Sequence, residues 1–224
     1  QPMAQVAARL SDVAPDGKAT RITYGVFNLN HYQGHDQPEC LVPGQSYKVR
    51  FALNHLGHRL TPGHRLRLSL STSYWPLAWP APRPVTLSVW PAATALQLPV
   101  RQASEPAVPV AFGRPSHQEP SIVKEIQPGE QRWRVIRDLE SSASTLEVIK
   151  NEGVYQLTDI DLEIADAPRE YYHSVGEDFA SIEGEVIAER RLRRGNWSVT
   201  TRTRTLLQAD ATAFYVTAEL DAWE

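Results

Sequence analysis

His55, His58 and His64 stand close together in the run Asn54-His-Leu-Gly-His-Arg-Leu-Thr-Pro-Gly-His64. Zinc needs three or four N, S or O ligands converging tetrahedrally, and this cluster is the chain's nearest approach to such a set. From a strand, however, His55 and His58 project oppositely, and their spacing matches no strong zinc signature. A Pro62-Gly63 turn with the histidines bonded to nearby backbone is the simpler reading, so neither a metal nor a cofactor is expected. Ser71 and Ser73 with His64 would make a nucleophile and base only if the fold brought them within hydrogen-bond reach, and serines beside a strand are ordinarily structural. Asp210, Glu219 and Asp221 are candidates for paired carboxylates, although acidic side chains on a wet sheet face are the ordinary explanation. Arg202, Arg204 and the basic run 190–194 form a stripe that Glu183, Glu185 and Glu189 can balance across strands. The rings of Tyr74, Trp75, Trp79 and Trp90 suit either sugar stacking or a protein contact, and a proline-flanked aromatic patch favours the contact.

The elements that would position these groups are short strands. Hydrophobic residues make up 42% and charged residues 22% of 224, an ordinary composition for a globular protein with a real core. A net charge of −3 offers no basic footprint for nucleic acid or for a membrane surface. Cys40 is the only cysteine, which excludes an internal disulfide and fits a reducing, cytoplasmic setting. Asn196-Trp-Ser198 matches a glycosylation acceptor, a weak signal by itself. The chain opens on Gln1 with Met3 its only methionine, and closes at Glu224 directly after a strand-like run. Both ends read as cut from a longer protein.

Prolines 15, 43, 62, 76, 80, 84, 91 and 99 punctuate the first hundred residues and leave no room for a long helix. Between them apolar residues alternate. Val6, Ala8 and Leu10 share a face, as do Tyr47, Val49, Phe51 and Leu53; Leu66, Leu68 and Leu70; Val85, Leu87 and Val89; and Leu96 with Leu98. Pro106, Pro109, Pro115 and Pro120 then mark an extended connector over 104–120. Strands return beyond it at Trp133 and Val135, Leu146 and Val148, and Ile160, Leu162 and Ile164. Three longer runs, 182–188, 197–205 and 214–222, follow with turn residues between them. The expected fold is all-β: a sandwich over 1–103 and an antiparallel meander over 121–224.

The residues Val6-Ala-Ala-Arg-Leu-Ser-Asp-Val-Ala-Pro-Asp-Gly17, Thr23-Tyr-Gly-Val-Phe-Asn-Leu-Asn-His31, Leu41-Val-Pro-Gly-Gln-Ser-Tyr47, His58-Arg-Leu-Thr-Pro-Gly-His-Arg-Leu-Arg-Leu68 and Ser71-Thr-Ser-Tyr-Trp-Pro-Leu-Ala-Trp-Pro80 occur in that order. Together they resemble the C-terminal domain of the X-Pro dipeptidyl-peptidase and cocaine-esterase hydrolase family. The resemblance fades after Val100, and residues from about Pro120 onward resemble the extra C-terminal β-region of longer members. It implies a jelly-roll, galactose-binding-like sandwich that packs on an upstream α/β-hydrolase domain of the same chain and walls its substrate cleft.

That family's acyl-enzyme chemistry needs a serine on a Gly-x-Ser-x-Gly elbow, and no such pentapeptide occurs here. No catalytic residue can be carried over. The expected function is therefore that of a non-catalytic C-terminal region of a serine hydrolase, inactive alone, with Tyr74, Trp75, Trp79 and Trp90 at the inter-domain contact. The competing readings are a free-standing carbohydrate-binding module and an oligomerisation domain, the latter self-associating through an unpaired edge strand near Gln1.

Overall fold

Alternation in the first region produces a three-stranded antiparallel sheet, in a computed structural model that describes residues 3–101, 111–117 and 119–224. Pro106, Pro109 and the expected boundary between residues 103 and 104 lie outside the described residues. The strands are β1 (Gln5–Val13), β2 (Ala19–Asn28) and β3 (Arg65–Ser71), in the order β2-β1-β3. Ala4, Val6, Ala8 and Leu10 lie on one buried face of central β1, and Leu10 and Val13 are fully enclosed. Burying a side chain of this size stabilises by roughly 1.5–3 kcal/mol. The Pro15-Asp16-Gly17 turn forms as its residues dictate: the Gly17 N–H donates to Ala14 O at 2.9 Å, the Lys18 N–H donates to Asp16 Oδ1 at 2.9 Å, and Gly17 takes φ +89°.

The second region is a larger antiparallel sheet. Its strands are β4 (Val123–Gln127), β5 (Glu130–Arg137), β6 (Ala143–Asn151), β7 (Val154–Leu157), β8 (Leu162–Asp166), β9 (Arg169–Val175), β10 (Asp178–Arg194), β11 (Trp197–Ala209) and β12 (Phe214–Trp223). Pairing shows that β4 with β5, β6 with β7, and β8 with β9 are three long strands, each bent at a corner. β4 pairs with β7 while β5 pairs with β6; β7 pairs with β8 while β6 pairs with β9. β10 runs past both β8 and β9, then pairs with β11, which pairs with β12. The result is a curled meander, and its ladders continue through the corners: Glu152 N–H donates to Asp166 O at 2.9 Å and Ala167 N–H to Glu189 O at 3.0 Å.

Glycine makes the corners possible. A Cβ on Gly153, whose φ is +79°, would stand 2.1 Å from Gln127 O, and one on Gly129 would stand 2.3 Å from Asn151 O. Two backbones cross here with no room for a side chain. The hairpin between β10 and β11 closes on Gly195-Asn196, with Arg194 opposite Trp197, the two-residue loop that this twist favours.

Not every expected strand forms. Residues 47–53, 85–89 and 96–98 pair with no strand among the described residues. Alternation makes a strand only where a neighbour pairs along its length. Residues 51–54 reach the outer edge of β2 with one ladder bond, Asn54 N–H to Tyr24 O at 2.9 Å, and Phe51 stacks on Phe27 at 5.4 Å. The stretches 85–89 and 96–98 are hemmed by Pro84, Pro91 and Pro99, which lack ladder donors. Residues 111–117 and 119–122 form no strand, as a connector would.

The corner glycines give a direct test by urea denaturation. Gly153→Ala should lower the unfolding free energy by roughly 2 kcal/mol or more. Gly57→Ala, where an added Cβ meets nothing within 4 Å, should stay within about 0.5 kcal/mol of the parent.

Candidate functional site

Two of the three clustered histidines converge on a residue that the sequence did not single out, Asp12. It lies near the end of β1, on the buried face that continues from Leu10, and is itself buried. Its carboxylate accepts from His58 Nε2 at 2.9 Å and from His64 Nδ1 at 2.7 Å. A carboxylate can only accept, so His58 carries its proton on Nε2 and His64 on Nδ1. The pair fastens the loop between residues 54 and 64 across β1, at the entry to β3. His55 is exposed and stands outside this set. No group of three or more His, Cys, Asp or Glu suited to a metal occurs among the described residues.

The serine candidates stand apart from this cluster in their hydrogen bonds: Ser71 Oγ donates to Ser73 O at 2.7 Å and accepts from Arg9 at 3.3 Å, while His64 Nδ1 is engaged with Asp12. The acidic candidates are separately occupied. Asp210 accepts from Thr212, Ala213 and Tyr215, closing the turn between β11 and β12, and these hydrogen bonds hold its carboxyl far below the usual carboxylate range. Glu219 lies 3.6 Å from Arg204. The basic stripe is balanced in part as the strand register requires: Arg204 meets Glu185 at 2.6 Å, while Arg193 meets Glu163 of β8 at 2.7 Å. Buried Glu147 is flanked by Arg134 at 2.8 Å and Arg132 at 3.3 Å, ion pairs that answer its desolvation.

The aromatic residues separate into two groups. Residues 74–78 close into a compact turn, with Ala78 N–H donating to Tyr74 O at 3.0 Å. Trp75 and Trp79 meet edge to face at 4.9 Å, and both rings then reach the meander. Trp75 meets Tyr172 of β9 at 6.0 Å, and Trp79 meets Phe214 of β12 at 5.4 Å. Tyr172 lies over Gly184, whose added Cβ would stand 3.6 Å from the ring. Burial, together with the hydrogen bond it gives to Glu170, pushes the Tyr172 hydroxyl up to about 12. Each aromatic pair contributes about 0.5–1.5 kcal/mol beyond its area, so these tryptophans form a joint between the two sheets of this chain. Trp90, by contrast, is 57% exposed, at the start of a short 3-10 turn. Sequence reading found the tryptophans but not Tyr172 and Phe214, because nothing in strand alternation says which strand faces a distant loop.

Hydrogen bonds from His58 first, then from His64, hold the Asp12 carboxyl below its ordinary 3.8, against the opposing effect of burial. Since the folded acid is the stronger one, its contribution to stability is complete above about pH 4 and is lost as pH falls through the lower folded value. The difference in unfolding free energy between the parent and Asp12→Asn should therefore be largest above about pH 4 and shrink progressively as pH is lowered below 3.8.

Comparison of the chain with curated proteins and with solved structures gives no match. A family does match: residues 1–108 fit the X-Pro dipeptidyl-peptidase C-terminal non-catalytic domain. The segment that matches contains β1 to β3 and the aspartate–histidine clasp, so it is the N-terminal half of this chain that is similar to that family.

Proposed function

We propose that the chain is the C-terminal accessory region of a serine hydrolase of the X-Pro dipeptidyl-peptidase or acyl ester and amide type. It is inactive alone, supports an upstream α/β-hydrolase domain of the same chain and borders the substrate cleft. The proposed organisation is a jelly-roll, galactose-binding-like sandwich over residues 1–103, a connector over 104–120 and the meander over 121–224.

The observation that carries this reading is uncovered apolar surface. Trp90 is 57% exposed, Trp133 and Val135 of β5 are 68% and 67% exposed, and Val216 and Leu220 of β12 are 66% and 69% exposed. Patches of this kind mark a contact that another protein surface completes. Tyr74, Trp75, Trp79 and Trp90 are the proposed contact residues: Trp75 and Trp79 already join the two regions of this chain, and an upstream domain would cover exposed Trp90. Sugar stacking requires an open aromatic face, and Trp75 and Trp79 already spend much of their surface on each other and on the meander. No helix among the described residues is long and apolar enough to cross a membrane.

An antibody against this chain, used to draw the native protein from its source, tests the proposal. A fluorophosphonate-labelled species far heavier than 25.1 kDa is expected, with no labelling of the isolated chain. An unlabelled native protein of about this mass contradicts the accessory role and favours sugar binding or self-association.

A further inference from the structure

The face of the first sheet opposite Leu10 carries an uncompensated positive cluster. In β-sheet register Arg9 stands opposite Tyr24 and Ser69, while Ser11 stands opposite both Arg21 and Arg67. Directly opposed residues share a face, so three arginines from three strands project together. With Ser11, Ser69 and Tyr74 they line an open depression of about 600 Å³. The Tyr74 ring gathers two of the charges: the Arg9 guanidinium carbon lies 5.2 Å and that of Arg21 5.7 Å from its centroid. Arg21 also donates to the Tyr74 hydroxyl and lies 5.0 Å from the Tyr24 ring.

Nothing negative answers this cluster. Among the described residues no carboxylate forms an ion pair with Arg9, Arg21 or Arg67, whereas Arg132, Arg134, Arg193 and Arg204 of the meander all have acidic partners. Asp12, next in sequence to Ser11, projects to the other face and is spent on its two histidines. One nitrogen of the cluster, Arg9 Nε, is buried and has no hydrogen-bond partner. A buried guanidinium donor left open beside an accessible depression is what an absent acceptor would leave. The chain as a whole is negative, at −3, so the concentration of positive charge here is local.

We infer that Arg9, Arg21 and Arg67 form a binding site for the oxyanion group, carboxylate or phosphate, of a ligand held against the Ser11–Ser69 floor. Planar guanidinium forks suit either group, and the serine and tyrosine hydroxyls complete an all-donor pocket. Electron-rich rings behind the guanidiniums hold them in place while leaving the donor edges available. The site lies on the first sheet, and its existence does not depend on the accessory role of the chain.

Calorimetric titration of the chain with inorganic phosphate and separately with glutarate, at constant ionic strength set by chloride, tests this inference. Saturable one-to-one binding of at least one of them is expected. It should weaken roughly tenfold or more in Arg9→Gln and in Arg67→Gln, and remain unchanged in Arg202→Gln on the distant β11. Tighter phosphate binding assigns a phosphate-bearing ligand, and tighter glutarate binding a carboxylate. Arg67 is exposed, so its variant keeps the test valid should Arg9→Gln fail to fold by circular dichroism. Absence of saturable binding by either anion, or binding undiminished in a folded Arg67→Gln, overturns the inference.

Discussion

An antiparallel sheet must cover one apolar face, and the rest of this structure follows from how that requirement is met. The first sheet covers its inner face with the loop that follows β2 and fastens that loop through Asp12. The curled meander covers part of its own surface and receives Trp75 and Trp79 at Tyr172 and Phe214. Its edge strands are left open: every residue of β4, β5 and β12 is exposed. The proposed place beside a catalytic domain would cover these edges.

Backbone geometry and side-chain chemistry divide the task. Long strands keep their ladders only if they can bend together, so Gly129 and Gly153 stand where two corners touch. Charge is placed where bending does not disturb it. Arg134 with Glu147 and Arg204 with Glu185 bridge neighbouring strands, which tolerates curl because long side chains adjust. The Asp12 clasp works differently, joining segments 46 and 52 residues apart in sequence. It converts a loop with little regular structure of its own into a fixed wall of the first sheet.

Much of this was legible before the fold was known, and the physical reasons mark the limit. Period-two alternation identified β1, β3 and β10 to β12, although every residue of β12 is exposed and its apolar face is uncovered here. The same alternation at Tyr47, Val49, Phe51 and Leu53 misled: the segment meets the free outer edge of β2 with the one ladder bond at Asn54, and sequence does not say how far two edges run together. The corners at Gly129 and Gly153 were not foreseen, because alternation does not say that a strand continues past a glycine. The histidines drew attention as a set of three. Only tertiary structure could show that His58 and His64 converge on Asp12 while His55 does not, because that contact joins residues 46 and 52 positions apart in the chain. The arginine face was equally hidden: Arg9, Arg21 and Arg67 become neighbours only once the register of β2-β1-β3 is fixed.

The central claim is that apolar surface open in this chain is covered in the working protein. Hydroxyl-radical footprinting with mass-spectrometric readout, applied to the isolated chain and to the native protein drawn from its source, measures that cover ring by ring. Trp90 and Trp133 should be oxidised readily in the isolated chain and strongly protected in the native protein, while half-buried Trp75 and Trp79 change less. Equal oxidation of Trp90 and Trp133 in both samples would contradict the account, because the surface would then be open by design.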